Sequence, residues 1–245
     1  MPRRVIIATD GQNLYHQLRN IGYREADIDW KLFLNSLLAP DDTLIRTYWF
    51  RPQKLQEIYL NKSGVARQII DEDLEKGTIT QSTHQQLMAN IKNLPPNLYS
   101  RVEKRHKTCR RWLSKEKQQF SQVDRKYSVI ENEYDDLEIY RTGVLKVNPY
   151  TQERIGEKGV DVALSVKMVE FALTGKCDKI ILVSGDLDYY EAIKTVKNNM
   201  VKVHIVKFHK GHPPKNTGTS KQLSQIADKV LNIYEKDLQN VRNKK

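Results

Sequence analysis

Two stretches near opposite ends of the chain constrain its fold most. Val5-Ile6-Ile7-Ala8-Thr9 runs into Asp10-Gly11-Gln12-Asn13, and Ile180-Ile181-Leu182-Val183 runs into Ser184-Gly185-Asp186-Leu187-Asp188. In each, a short apolar run stops at a carboxylate-bearing segment, and a glycine permits a sharp turn into a helical pattern. Unbroken apolar runs of this length suit neighbouring parallel strands of an α/β sheet, buried on both faces. Such sheets place their sites in the crevice beyond the carboxyl ends of the strands. Asp10, Asp186 and Asp188 are therefore expected in one cleft despite their separation in sequence.

The segments between supply the rest of the α/β rhythm. A helix is expected from Gln12 to about Asn20, then a helix Trp30–Leu38 capped by Asp29, then a strand Leu44–Phe50. From about Pro52 to Val123 the patterns turn helical: Leu55–Lys76, Ser82 to about Leu94, and Leu98 to about Val123. In the last of these, Leu98, Val102, Cys109, Leu113 and Phe120 recur at spacings of four and seven and form one stripe. Strand-like stretches return in Leu137–Val147. A loop from Pro149 to Gly159 then leads into a helix that begins at Val160-Asp161 and ends near Thr174. Strand Ile180–Val183, a helix from Tyr189 to about Asn198 and strand Val201–Val206 follow. Residues 209–219 suggest a mobile loop, Ser220–Tyr234 a final helix, and the Asn/Lys tail a frayed end. The expected organisation is an α/β domain over 1–51 and 131–245, interrupted by a basic helical insertion over 52–130.

The charge is concentrated rather than spread. The chain of 245 residues carries a formal net charge of +11. Residues 51–130 hold 16 Lys/Arg against 8 Asp/Glu, while the remainder holds 25 against 22. A local excess of this kind points to a polyanionic partner, nucleic acid above all. Arg101, Lys104, Arg105, Arg110 and Arg111 fall on the polar side of the longest helical pattern and would contact a phosphate backbone. Tyr99, Trp112 and Tyr127 would offer stacking surfaces, although Trp112 also fits the apolar stripe as a core residue. Two cysteines are too few for a disulfide framework or a zinc site and suit reduced thiols. Only four apolar residues follow Arg3-Arg4 before Thr9, too few for a secretory leader, and no run approaches a membrane span. A cytoplasmic protein with no membrane partner is the expectation, with a homodimer as an admissible assembly.

A third acid, Asp161, opens the helix after Gly159. Converging carboxylates repel one another and resist desolvation unless a cation neutralises them. All-oxygen ligands suit Mg²⁺ or Mn²⁺ rather than zinc, and such an ion can activate water toward a phosphodiester. Asp10, Asp161, Asp186 and Asp188 are thus the expected metal ligands and catalytic acids. Asn13, Ser184 and Lys158 are expected in support. Asp188 and Asn13 also suit helix caps, and Lys158 a solvated loop. His209 and His212 lack a third ligand.

Three blocks carry a resemblance. Asp10-Gly11-Gln12-Asn13-Leu14, Glu157-Lys158-Gly159-Val160-Asp161-Val162-Ala163-Leu164 and Leu182-Val183-Ser184-Gly185-Asp186-Leu187-Asp188-Tyr189 resemble, in order, the signature blocks of NYN domains. These are the LabA-like branch of the PIN-like ribonuclease superfamily. Ser220-Lys221-Gln222-Leu223 with Ala227-Asp228 is similar to the family's C-terminal block. The resemblance covers about 1–50 and 137–235. It implies a PIN-like three-layer α/β sandwich with a mainly parallel sheet, a divalent-metal site built on the four acids, and RNA cleavage. Two departures stand out: Lys167 occupies a position near which many relatives carry an acid, and the helical insertion over about 52–130 is not part of the family core. Two functions are expected from these residues, a metal-dependent endoribonuclease or, alternatively, a non-catalytic RNA-binding adaptor. A phosphatase built on Asp10 would need an acid two residues on, where Gln12 stands.

Overall fold

A computed structural model describes residues 1–216 and 218–242. In chain order, the first elements are β1 (Arg3–Asp10), α1 (Gly11–Asn20), α2 (Trp30–Ser36) and β2 (Asp42–Glu57). Then come α3 (Lys62–Glu75), α4 (Gln81–Ala89) and α5 (Pro96–Glu133), followed by β3 (Leu137–Asn148), β4 (Glu153–Lys158) and α6 (Val160–Leu173). The chain closes with β5 (Lys179–Val183), α7 (Tyr190–Asn198), β6 (Lys202–Lys210), β7 (Lys215–Asn216), α8 (Lys221–Ile226), β8 (Lys229–Tyr234) and α9 (Glu235–Asn240). Two compact units result. Residues 1–53, 127–143 and 159–245 form the first, and residues 54–126 with 144–158 form the second. Among the described residues, no helix is long and apolar enough to cross a membrane.

The first unit is organised by alternation along its central strands. β1 pairs in parallel with β2 and β5, β5 with β6, and β6 with β8. Val5 and Ile7 of β1, Ile181 and Val183 of β5, and Val206 and Phe208 of β6 share one core. Ile6 and Ala8, Ile180 and Leu182, and Val203 and Ile205 enter another. Successive strand residues point to opposite faces, so both faces must be covered. On one face lie Leu14 and Leu18 of α1 and Trp30, Phe33 and Leu34 of α2. On the other lie Leu164, Met168 and Phe171 of α6 and Ile193 and Val196 of α7. This is a helix–sheet–helix sandwich with a mainly parallel sheet.

The second unit has its own core. Val65, Ala66, Ile69 and Ile70 of α3 pack with Leu98 and Val102 of α5. Asn61 caps α3, its side chain accepting the Gly64 amide at 2.6 Å. Pro96 opens α5, a position where its missing N–H costs no helical hydrogen bond. Arg101 makes two 2.7 Å hydrogen bonds to Asp73 of α3, and Arg105 bonds Glu72 at 2.8 Å. Tyr150 donates its hydroxyl to the Tyr59 carbonyl and accepts the Asn61 amide. The tip between β3 and β4 is thereby fastened to the start of α3.

Three differences from the sequence expectation have physical causes. β2 continues to Glu57, beyond the expected Phe50, because its last four residues, 54–57, are a strand segment of the second unit. The expected loop 149–159 contains β4, which pairs antiparallel with β3. The expected helix Ser220–Tyr234 is instead the six-residue α8 followed by strand β8. Leu223, Ile226 and Val230 mimic helical spacing, but Val230 packs on one core while Leu231 and Ile233 pack on the other. That is strand alternation, enforced by the open edge of β6. Ser220 makes no side-chain cap. Within the expected loop 209–219, Thr217 lies outside the described residues, as does the end of the tail.

One buried charge cluster holds the far end of the sheet. Lys179 and Asp42, 1% and 0% exposed, form an ion pair. Burial lowers the His204 pKa to about 4, with the cations Lys179 and Lys229 adding to the effect and Asp42 and Asp228 opposing it. The unfolded chain takes up this proton near pH 6.5, whereas the folded chain takes it up only near pH 4. Stability is therefore lost as pH falls through that window. Urea unfolding of His204→Gln should lose less stability than wild type between pH 7 and pH 4, by on the order of 2 kcal/mol. Parallel pH profiles for the two proteins would remove His204 from the acid response.

Candidate functional site

The parallel register of β1 and β5 builds the site. Thr9 lies opposite Val183, so the next residues, Asp10 and Ser184, leave the sheet side by side. Gly11 is needed at the turn because a Cβ there would stand 2.7 Å from the Trp49 indole nitrogen and 2.8 Å from the Phe50 carbonyl. Gly159 enters α6 at φ 83°, a conformation natural to glycine, and delivers Asp161 in the first helical turn. A carboxylate there is favoured by the helix dipole.

Asp10 is 3% exposed and engaged at both oxygens. Its Oδ1 accepts the Asn13 amide at 2.9 Å and so caps α1. Its Oδ2 accepts the Ser184 hydroxyl at 3.2 Å and lies 3.0 Å from the Tyr189 hydroxyl. The same hydroxyl lies 3.1 Å from Asp161 Oδ1. Tyr189 has one proton for two carboxylates, so its hydroxyl can donate to only one of them at a time. Burial pushes the Asp10 carboxyl above its usual range, and the charge of Asp161 adds to this. Burial likewise pushes the Tyr189 phenol well above its ordinary value, reinforced by both carboxylates. Tyr189 is thus a neutral hydroxyl within hydrogen-bonding distance of both acids.

The neighbouring polar groups complete a network. Ser184 Oγ accepts the Asp186 amide at 3.2 Å. Asn13 Oδ1 accepts the Gly185 amide at 3.0 Å and a hydrogen bond from Gln17. Asp186 Oδ1 accepts the Asp188 amide at 3.1 Å, opening the short 3₁₀ turn Leu187–Tyr189. Of the capping alternatives, the caps belong to Asp10 and Asp186 rather than Asn13 and Asp188. Asp10, Asp161, Asn13 and Ser184 therefore meet in one network. Asp186 joins through its amide, and Asp188 is exposed. Lys158 is exposed at the end of β4 in the second unit.

Two residues of the network escaped the sequence reading. Tyr189 is the last residue of the third block, directly after Asp188, and Gln17 lies one turn beyond Asn13 on α1. Helical spacing could have suggested Gln17; the link from Tyr189 to Asp10 spans 179 residues. The departure at Lys167 is also resolved locally. Its ammonium pairs with Glu170 at 3.0 Å, and that hydrogen bond raises its pKa. Six residues beyond Asp161, it points about 120° away around the helix.

The donor set fits a metal ion as a pair of acids, not as a cage. Among the described residues, no group of three or more His, Cys, Asp or Glu is placed to hold a metal ion. Mg²⁺ is commonly held by one or two carboxylates plus water and substrate phosphate, and Asp10 and Asp161 are the carboxylates that would supply such a set.

On the second unit, Arg101 and Arg105 are committed to Asp73 and Glu72. Lys104, Arg110 and Arg111 are exposed on α5. Trp112 and Leu113 are half-buried.

The fold and the acid pair define an α/β protein with a carboxylate site at the ends of parallel strands. The family model described as the NYN domain matches residues 96–234, more than half of the chain, which therefore belongs to the NYN family. The match takes in Asp161, Asp186 and Asp188 and runs through α5; β1, with Asp10 and Asn13, precedes it. A search of curated proteins finds no match. The crystal structure of a protein of unknown function, VPA0982 from Vibrio parahaemolyticus RIMD 2210633, is similar at 16% identity with a TM-score of 0.46. The alignment covers 95% of this chain and 94% of that one.

Tyr189→Phe should cost about 1–3 kcal/mol in urea unfolding, because it leaves a buried carboxylate short of a donor. A loss below about 0.5 kcal/mol would mean that the hydroxyl does not hold the pair.

Proposed function

We propose that this NYN protein is a divalent-metal-dependent endoribonuclease of the PIN-like superfamily, of the LabA-like type, acting in the cytoplasm. Family membership supports a nuclease. The observation that carries the reading is the Asp10–Tyr189–Asp161 contact at the carboxyl ends of parallel strands. Asp10 and Asp161 would hold Mg²⁺ or Mn²⁺, with Asp186 and Asp188 on the adjoining turn to orient water and substrate. The ion would supply an activated water and charge neutralisation for phosphodiester hydrolysis. Ser184 and Asn13 fix the first acid, and Tyr189 holds the second against it. Preorganisation of this kind lowers a barrier because the dipoles need not reorient during reaction.

RNA would be held in part by the exposed cations Lys104, Arg110 and Arg111. Arg101 and Arg105 also pair with Asp73 and Glu72 of α3, which leaves them less free to meet a phosphate. Two buried free thiols, Cys109 and Cys177, suit a reducing compartment.

A second reading, a non-catalytic RNA-binding adaptor, is favoured by one fact: protein donors already occupy both oxygens of Asp10. Labelled RNA incubated with Mn²⁺ or chelator separates the two. Wild type should cleave only with metal, and Asp10→Asn should lose at least about a hundredfold in rate while still binding. Wild type that binds RNA but leaves every substrate intact would sink the nuclease and leave the adaptor.

The triple variant Lys104→Glu, Arg110→Glu, Arg111→Glu should weaken RNA binding. The slope of log affinity against log salt should fall by roughly 0.7–0.9 per lost phosphate contact. An unchanged slope removes α5 from the RNA path.

A further inference from the structure

An open groove of about 740 Å³ lies in the first unit, lined by Leu187, Tyr190, Lys197, Gln222, Gln225 and Ile226. That volume lies within the range of about 300–1,000 Å³ usual for small-molecule sites. The acid pair does not use it. Its lip is nevertheless the acid-bearing turn itself, since Leu187 sits between Asp186 and Asp188.

The position of α8 in the lining is set by contacts at the same strand end. The Ser220 amide, at the start of α8, donates to the Gly185 carbonyl at 3.0 Å. Gly185 itself leaves no room for a side chain: a Cβ would stand 2.5 Å from the Gly218 carbonyl and 2.7 Å from Thr219 Cα. Lys197 of α7 donates to the Ile226 carbonyl at 2.6 Å and pairs with Asp228 at 3.1 Å. Those bonds tie α7 to the end of α8 and neutralise the charged lining residue.

The remaining surface has a specific chemistry. Leu187 is 42% exposed, and Tyr190 and Ile226 are partly exposed, giving apolar and aromatic area. Gln222 and Gln225, three apart on α8, are exposed and present amides that both donate and accept. Among the described residues, no carboxylate lines the groove. A flat, neutral ligand with donors and acceptors along its edge matches this surface, and an unpaired nucleobase is such a ligand.

We propose that the groove is a nucleobase subsite, which stacks one unpaired RNA base against Tyr190 and Leu187 and reads its edge with Gln222 and Gln225. The inference rests on the RNA reading above and deepens it: it puts the choice of nucleotide beside the acids. Aromatic stacking supplies affinity with little discrimination, while paired glutamine amides supply preference.

The test is fluorescence anisotropy in EDTA, so that cleavage does not intervene, with labelled single-stranded RNA octamers of A, C or U and an abasic counterpart. Wild type should bind one octamer best and the abasic strand worst. Tyr190→Ala should weaken the best octamer at least about tenfold. Gln222→Ala with Gln225→Ala should level the octamers toward one another, and Tyr190→Phe should keep wild-type affinity. Circular dichroism and melting confirm that each variant is folded. RNA binding by wild type that none of these variants changes, or an equal loss on the abasic strand, overturns the base subsite alone. Wild type that binds no RNA at all overturns the RNA reading, and the subsite with it.

Discussion

A carboxylate with almost no access to solvent sits where a strand buried on both faces ends, and much of the site follows from how it is satisfied. Asp10 is 3% exposed, so each of its oxygens needs a donor from the protein. One oxygen takes the Asn13 amide and starts α1. The other takes Ser184 from the neighbouring strand and Tyr189 from the turn after it. Tyr189 in turn reaches Asp161 at the head of α6. One buried acid thus couples β1, β5, α1, α6 and the 3₁₀ turn. Satisfying a buried charge and assembling a site are here the same act.

The two units divide the physical requirements. The first buries its sheet between helices and gathers acids at the strand ends. The second uses ion pairs of α5 with α3 to hold helices whose outer face is cationic. Arg101 and Arg105 illustrate the cost of reading charge by composition. Both belong to the basic run, yet both are ion-paired with acids of α3. Lys104, Arg110 and Arg111 of the same run remain exposed.

Local patterning made much of this legible. The apolar runs before Asp10 and Ser184, the helix after each, and the glycines at the turns are local features, and the structure contains them. Asp10, Asn13, Asp161 and Ser184 could be named because each sits in a short block. Failures came where local patterns are ambiguous. The segment 229–234 has spacing that suits a helix or a strand, and pairing with β6 decides it. The segment 153–158 is short and polar, and pairing with β3 makes it a strand.

By itself the sequence determined the strand ends, their acids, the basic run and the resemblance to NYN domains, because each is a local arrangement of residue types. Only the tertiary structure decided which acids meet. Asp10 and Asp161 share one hydroxyl, while Asp188 faces solvent. It also revealed Tyr189 as the residue that reaches both acids, turned Lys167 onto Glu170, and brought Gln222, Gln225 and Leu187 into the lining of one groove. These outcomes depend on hydrogen-bond and packing partners far apart along the chain. A side chain's partner across a sheet is fixed by register and burial, and neither is a property of its neighbours in sequence.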